Sequence, residues 1–325
     1  MRTLLAVPLL VTALVACTPA ASDDDGEVYA TGPMAPAPDK AAEAVPVVVD
    51  TDLAPDDLAA LALLVRHPEV EVVAITVSQT GILGCVGSGL VADLFDGLRA
   101  PPPPLACGDT ARGPDGIPFP QAWAMGAIED SGLAGDHDPT SLLPVESSAA
   151  DLIARLALHH DGLQVVALGP LTEVAAVLRE HPSAYARLGG ITTMAGSLDS
   201  ASQADGVAEW NAAADPVPFA EVVAGPVPVT VVPDDPVPRG ASHGPAGPVV
   251  GGLGRVAGFE SPAYWDLATA AVFVSPVAAT TESGTWSVDT TTDRGRLRRT
   301  DGGPVRVVTG LDAAALDEVY RSVFR

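Results

Sequence analysis

Lysine is nearly absent from this chain. Lys40 is the sole lysine in 325 residues, and 17 basic residues face 41 acidic ones for a net charge of −24. Such a surface repels phosphate backbones, which excludes nucleic acid as a partner and favours a cationic partner or a bound metal. A saline habitat or GC-rich coding produces the same bias. Cysteine is scarce too, at three residues. No Cys-x-x-Cys or Cys/His cluster is present, so nothing suggests zinc. No internal repeat is visible, and no apolar run is long enough for a comfortable membrane span of about 20 residues. A hydrophobic content of 47% is nevertheless enough for a sizeable core.

The N-terminus reads as an export signal. Arg2 gives a positive start, residues 4–15 are mostly apolar, and Leu14-Val15-Ala16-Cys17 resembles a bacterial lipobox. The expectation is a lipoprotein signal peptide over 1–17, lipidated at Cys17. An Ala/Pro/Asp-rich disordered tether over 18–44 follows, then a domain over 45–325. The protein is then exported and lipid-anchored on the periplasmic or extracellular face of a bacterial membrane, which it touches through the anchor only. In that compartment Cys85 and Cys107 either bridge or remain two buried thiols.

From residue 45 onward, short β-branched runs alternate with helical patterns. Strands are expected at 46–50, 70–77, 163–168, 191–195, 227–232 and 305–309. Helices are expected at 56–66, 89–98, 149–160, 171–179, 216–223 and 313–323. This alternation predicts an α/β fold, a mainly parallel central sheet with helices on both faces. Ligands in such sheets bind beyond the carboxyl ends of the strands. The Gly/Pro-rich stretch 240–254 reads as a long loop at a pocket rim.

At one such end stands Asp50-Thr51-Asp52-Leu53-Ala54-Pro55-Asp56-Asp57. Asp50 and Asp52 project to one face of an extended segment. Asp56 and Asp57 open the next helix, where its dipole favours negative charge. An N-cap and turn residues account for one or two of these acids. Four converging carboxylates call for protonation or a hard cation such as Ca²⁺ or Mg²⁺.

These acids match the DxDPGxDD motif that opens the inosine/uridine-preferring nucleoside hydrolases, except that Leu53-Ala54 stands in place of Pro-Gly. Leu168-Gly169-Pro170-Leu171-Thr172 resembles that family's LGPLT segment, and Met194-Ala195-Gly196 its MGG turn. Ala208-Glu209-Trp210-Asn211 with Asp215-Pro216 is similar to its AEFN…DP segment, and Gly113 to Ile117 more weakly to the loop after the third strand. The resemblance runs from about Val45 onward and implies a Rossmann-like nucleoside hydrolase fold. It also implies Ca²⁺-dependent hydrolysis of ribonucleosides, with room for a homo-oligomer. Asp52, Asp57, the Leu168 carbonyl and Asp266 would hold calcium, which lowers the pKa of a bound water. Asp52 would act as general base. Asp56 and Asn211 would hold the 2′- and 3′-hydroxyls, Glu209 and Gln203 the 5′-hydroxyl, and Asp50 would support the shell. Trp210 would flank the sugar.

The base side departs from the pattern. Trp265 occupies the place of a late histidine that can protonate a leaving base. Glu173 replaces an Asn, Ser78 to Gly81 lacks the family's GGN, and Arg112 falls about where some members have a histidine. His243 is a candidate substitute acid. Two other functions compete. A non-catalytic nucleoside- or sugar-binding lipoprotein is compatible with the altered base side. A haloacid-dehalogenase-type phosphohydrolase also uses DxD, but it needs a cationic side chain, and Lys40 lies in the tether.

Overall fold

The computed structural model describes residues 37–131, 145–199, 207–239 and 264–324, the side chains at 128–131 and 301–302 apart. Cys17, Gln203 and His243 lie outside these residues, as does the signal segment with most of the tether. Eight strands form one sheet: β1 (Val45–Thr51), β2 (Val70–Val77), β3 (Leu105–Cys107), β4 (Gln164–Ala167), β5 (Gly190–Met194), β6 (Val229–Val232), β7 (Ala279–Val288) and β8 (Leu297–Leu311). Their order is β3-β2-β1-β4-β5-β6-β8-β7. All neighbours pair in parallel except β7 with β8.

The apolar run of β1 is buried on both sides. Val47 and Val49 join the core on one face, while Val48 joins the other. The first face carries α1 (Pro55–Arg66), α2 (Ser88–Leu98), α9 (Trp265–Val274) and α10 (Ala313–Val323). The second carries α4 (Ala149–His159), α5 (Thr172–Glu180), α6 (Pro182–Tyr185) and α8 (Pro216–Val223). Two further helices, α3 (Gln121–Ser131) and the short α7 (Trp210–Ala214), lie over the strand ends.

The order reverses at β1, whose neighbours are β2 on one side and β4 on the other. Chains leaving β1 and β4 diverge there and open a crevice. Asp52 follows β1 and Leu168 follows β4, and Leu168 N–H donates to the Asp50 carbonyl at 2.7 Å. The expected fold class therefore stands, with two strands added that the sequence did not announce. β3 is only three residues long and follows a run of prolines. β7 reads ATTESGTWSV, too polar and Gly-broken to show a buried face.

Lys40 Nζ donates to the carbonyls of Val65 (2.5 Å) and His67 (2.9 Å), placing its charge at the negative end of α1. The last residues before β1 thus already bond to the domain. Cys85 and Cys107 form a disulfide with Cα atoms 5.6 Å apart. Among the described residues no helix is long and apolar enough to cross a membrane.

Candidate active site

Between β1 and α1 the chain turns with Leu53 at φ 66°. That left-handed conformation costs an L-residue about 1–2 kcal/mol. Full burial of the leucine side chain offsets it by about 1.5–3 kcal/mol, and Leu53 N–H donates to Thr51 Oγ1 at 3.1 Å. The acids thus keep the spacing of the resembled motif without its Pro-Gly.

The four acids separate into distinct positions. Asp50 is buried behind the cavity, where Thr76 Oγ1 donates to Oδ1 at 2.6 Å and Oδ2 has no partner among the described residues. Burial raises its carboxyl to about 7, with the Thr76 bond pulling the other way. Asp52 lines the cavity and accepts Ala54 N–H and Ile82 N–H, one on each oxygen, both at 3.2 Å. Burial first, then the charge of Asp57, pushes it well above the usual carboxylate range. Asp57 Oδ1 accepts from Thr51 Oγ1 (2.5 Å) and Asp52 N–H (3.1 Å), while its buried Oδ2 has no hydrogen-bond donor among the described residues. Asp56 Oδ2 accepts Asp266 N–H at 3.3 Å, and burial plus the neighbouring Asp57 raise it to about 7.

Asp266 stands in the first turn of α9, as Asp56 and Asp57 stand in that of α1. Two positive helix ends therefore meet at these carboxylates. One oxygen from each of Asp56, Asp57 and Asp266 lies within 4.8 Å of the others, all three residues being buried. Unpartnered buried oxygens on Asp57 and Asp266 suit a hard divalent cation, which takes oxygen ligands and offsets the mutual repulsion.

The cavity has a volume of about 370 Å³. Asp52, Asp56, Leu168, Glu209, Trp210, Asn211, Trp265 and Asp266 line it, which brings most of the sequence-derived site together. Asn211 Nδ2 donates to the Leu168 carbonyl at 2.6 Å and to the Met194 carbonyl at 3.2 Å. Glu209 caps α7, accepting Asn211 N–H (2.7 Å), Ala212 N–H (2.9 Å) and Gly196 N–H (2.8 Å). Burial raises it to about 7 against those bonds.

Sequence reasoning missed Phe119, Trp123 and Asp234. Trp123 meets Trp210 edge-on with ring centroids 4.9 Å apart, and Phe119 lies 5.8 Å from Trp210. Three of the chain's four tryptophans, Trp123, Trp210 and Trp265, line this one cavity. In a chain only 4% aromatic, tryptophan scarcity was the signal to follow. Asp234 sits in Pro233-Asp234-Asp235-Pro236, which reads as a turn. Arg112 instead donates to the Thr80 carbonyl at 2.8 Å and is not among the lining residues.

Gly81 and Gly169 press on Asp52. A Cβ on Gly81 would fall 2.1 Å from the Asp52 Cβ, and one on Gly169 2.8 Å from it. Gly81→Ala is therefore expected to shift the Asp52 carboxyl by an ångström or so and lower turnover about a hundredfold. Thermal unfolding and steady-state rates measured together check this. A fully active, normally stable Gly81→Ala protein would show that the contact is slack.

A sequence model of the family described as inosine-uridine preferring nucleoside hydrolase matches residues 47–318. The chain belongs to this family. Among relatives, it is 30% identical over 174 residues to a probable uridine nucleosidase 2 of Oryza sativa subsp. japonica, covering 52% of this chain and 50% of that one. It is equally 30% identical over 174 residues to the pyrimidine-specific ribonucleoside hydrolase RihA of Salmonella paratyphi A, covering 53% and 52%. The chain spans about half the length of these relatives. Among solved structures, an inosine-uridine preferring nucleoside hydrolase from Bacillus anthracis superposes with TM-score 0.72 at 22% identity, over 86% of this chain and 99% of that one. An inosine-guanosine nucleoside hydrolase gives TM-score 0.69 at 21% identity, over 86% and 98%. These structural likenesses carry the fold.

Two features of this nucleoside hydrolase family member also remove the phosphohydrolase alternative. Asp50, the nucleophile that reading requires, is buried outside the cavity lining. The Lys40 amine is held by the last carbonyls of α1.

Proposed function

We propose that the protein hydrolyses the N-glycosidic bond of ribonucleosides with the help of Ca²⁺, and that it works exported and lipid-anchored through Cys17. The observation that carries the activity is one cavity combining a buried acid cluster with an aromatic wall. Acids and the Asn211 amide suit a polyol, while Trp123, Trp210, Trp265 and Phe119 suit a flat base.

Asp57, Asp266, Asp52 and the Leu168 carbonyl are the oxygen donors that would hold the cation. When bound, calcium supplies Lewis acidity toward water and cancels repulsion among the acids. Asp52 takes the proton of the attacking water, as its position on the cavity wall allows. An oxygen–carbon bond forms at the anomeric centre as the carbon–nitrogen bond breaks, and the electron pair leaves with the base. Asp56 and the Asn211 amide oxygen accept hydrogen bonds from the 2′- and 3′-hydroxyls, the Asn211 NH₂ being held by the Leu168 and Met194 carbonyls. Trp265, with the Arg239 guanidinium 5.7 Å from its ring centroid, stacks on the departing base.

The test is reducing-sugar release from a panel of purine and pyrimidine nucleosides, with and without a calcium chelator. Release abolished by the chelator is expected. No release from any nucleoside would remove the hydrolase reading, and chelator-resistant release would remove the metal. Retention of Trp265 in place of a histidine favours one second reading, nucleoside binding without turnover, which the same panel separates when paired with calorimetry. Anchoring is supported by the lipobox and by the disulfide, a bond favoured in oxidising compartments. Cys17→Ser should move the protein from the membrane to the soluble fraction, and unchanged membrane retention would refute the anchor.

A further inference from the structure

Asp234 is an acid of the cavity that belongs neither to the cation-holding set nor to the 2′- and 3′-hydroxyl contacts. Asp234 follows β6, lines the pocket, and is 2% exposed. Among the described residues neither of its carboxylate oxygens meets a hydrogen-bond partner in good geometry. The Arg239 guanidinium, on a half-exposed side chain, places Nη2 3.8 Å from Oδ2. Burial raises the carboxyl to about 7, Glu209 and Asp235 add repulsion, and the nearby Ser197 hydroxyl pulls the other way. A buried carboxyl this poorly supplied with donors is costly to keep.

Its neighbours show that no local fold requirement accounts for it. Asp235 does the structural work of this turn, accepting from Ser197 Oγ (3.0 Å), Leu198 N–H (2.5 Å) and Asp199 N–H (3.0 Å). Glu209, the acid the family resemblance gives to the 5′-hydroxyl, already holds three backbone N–H groups. A carboxylate offers about four lone-pair sites, so Glu209 has little capacity left and Asp234 has nearly all of its own. The two acids are neighbours through Gly196. Gly196 N–H donates to Glu209, and Asp234 N–H donates to the Gly196 carbonyl at 3.0 Å. Asp234 follows β6 and Glu209 caps α7 against the turn after β5, whereas the acid cluster opens α1 and α9.

A ribosyl group likewise presents acceptor-seeking hydroxyls at two places, the 2′/3′ pair and the 5′-hydroxymethyl. We propose that Asp234 is a specificity-determining residue: it accepts the hydrogen bond of the 5′-hydroxyl and, with Glu209, excludes substrates phosphorylated there. This rests on the reading of the cavity as a ribosyl site. The two carboxyls together repel a phosphate dianion and leave a neutral hydroxyl welcome.

The test uses the full chain with uridine and inosine, their 5′-deoxy forms and their 5′-monophosphates, measured by calorimetric binding and by hydrolysis. Removing the 5′-hydroxyl should cost the wild type about ten- to a hundredfold, and the monophosphates should bind at least about tenfold more weakly than the nucleosides. Asp234→Ala should shrink the deoxy penalty to within about threefold, and Asp234→Asn should relieve the phosphate exclusion. Indifference of the wild type to the 5′-hydroxyl overturns the proposal, as does tighter phosphate binding drawn by Arg239 or an undiminished penalty in folded Asp234→Ala. Should Asp234→Ala misfold, the near-isosteric Asp234→Asn decides: undiminished phosphate exclusion in it overturns the proposal. Discrimination in binding without hydrolysis would remove the hydrolase reading and leave this proposal standing. Hydrolysis without discrimination would do the reverse, and absence of both binding and hydrolysis would remove both.

Discussion

Asp52→Asn is expected to leave a folded protein that still holds a nucleoside but turns it over about a thousand- to ten-thousandfold more slowly. The amide has the shape of the carboxylate and keeps one oxygen, so Ala54 N–H or Ile82 N–H retains an acceptor. It cannot take a proton from water, and it turns an NH₂ group toward the other donor. The loss should fall on kcat, with nucleoside affinity changed by less than about tenfold. Single-turnover rates beside calorimetric binding separate the two quantities. Full activity in this variant would assign the base to another group, and loss of binding alone would favour a recognition protein.

The second large effect concerns the metal and pH. Asp50 and Asp56 are raised to about 7 by burial, and Asp52, Asp57 and Asp266 are raised as well. In the unfolded chain an aspartate titrates near about 3.9. Between these values the folded, metal-free protein holds protons that the unfolded chain has released. Its stability from these groups is thus fully present below about pH 4 and is lost as pH rises through about 7. Calcium would have to displace those protons, so binding is expected to be tighter at pH 8 than at pH 5. At a hundredfold excess over its Kd it should stabilise by about 2.7 kcal/mol, or roughly 5–10 °C in Tm for a domain of this size. Melting at pH 5 and pH 8, with calcium or chelator, tests both halves. A chelated protein that melts no lower at pH 8, or a calcium increment no larger there, would contradict the account.

Most of the fold was legible because its signals are local. The six strands read from the sequence are short apolar runs between helical patterns, and each coincides with an observed strand to within a few residues, except that β8 extends well beyond its read segment. The four acids were legible because a strand end and a helix start are both written in the sequence around them. Other parts had no local signal. Helix α9, WDLATAAVFV, is apolar nearly all round because it is buried nearly all round, so no helical period stands out. Trp123 and Phe119 become a wall of the site only when α3 and its approach fold over the strand ends. Asp234 and Asp235 look alike in sequence, and only the donors around them show that Asp235 holds the turn while Asp234 meets little more than the Arg239 guanidinium. Leu53 supplies a left-handed turn where a glycine would announce it, and its reason lies in the core around its side chain.

Asp266 N–H meets Asp56 across 210 residues of chain. As the protein is synthesised, the acids of the first turn emerge early and stay without their partner until α9 has formed and docked on α1. Contacts this distant in sequence close late, after the loop entropy between them has been overcome. Capture of a cation by the complete cage would therefore mark the end of folding, and an N-terminal fragment, however well its first strands paired, would expose a cluster of like charges with nothing to gather them.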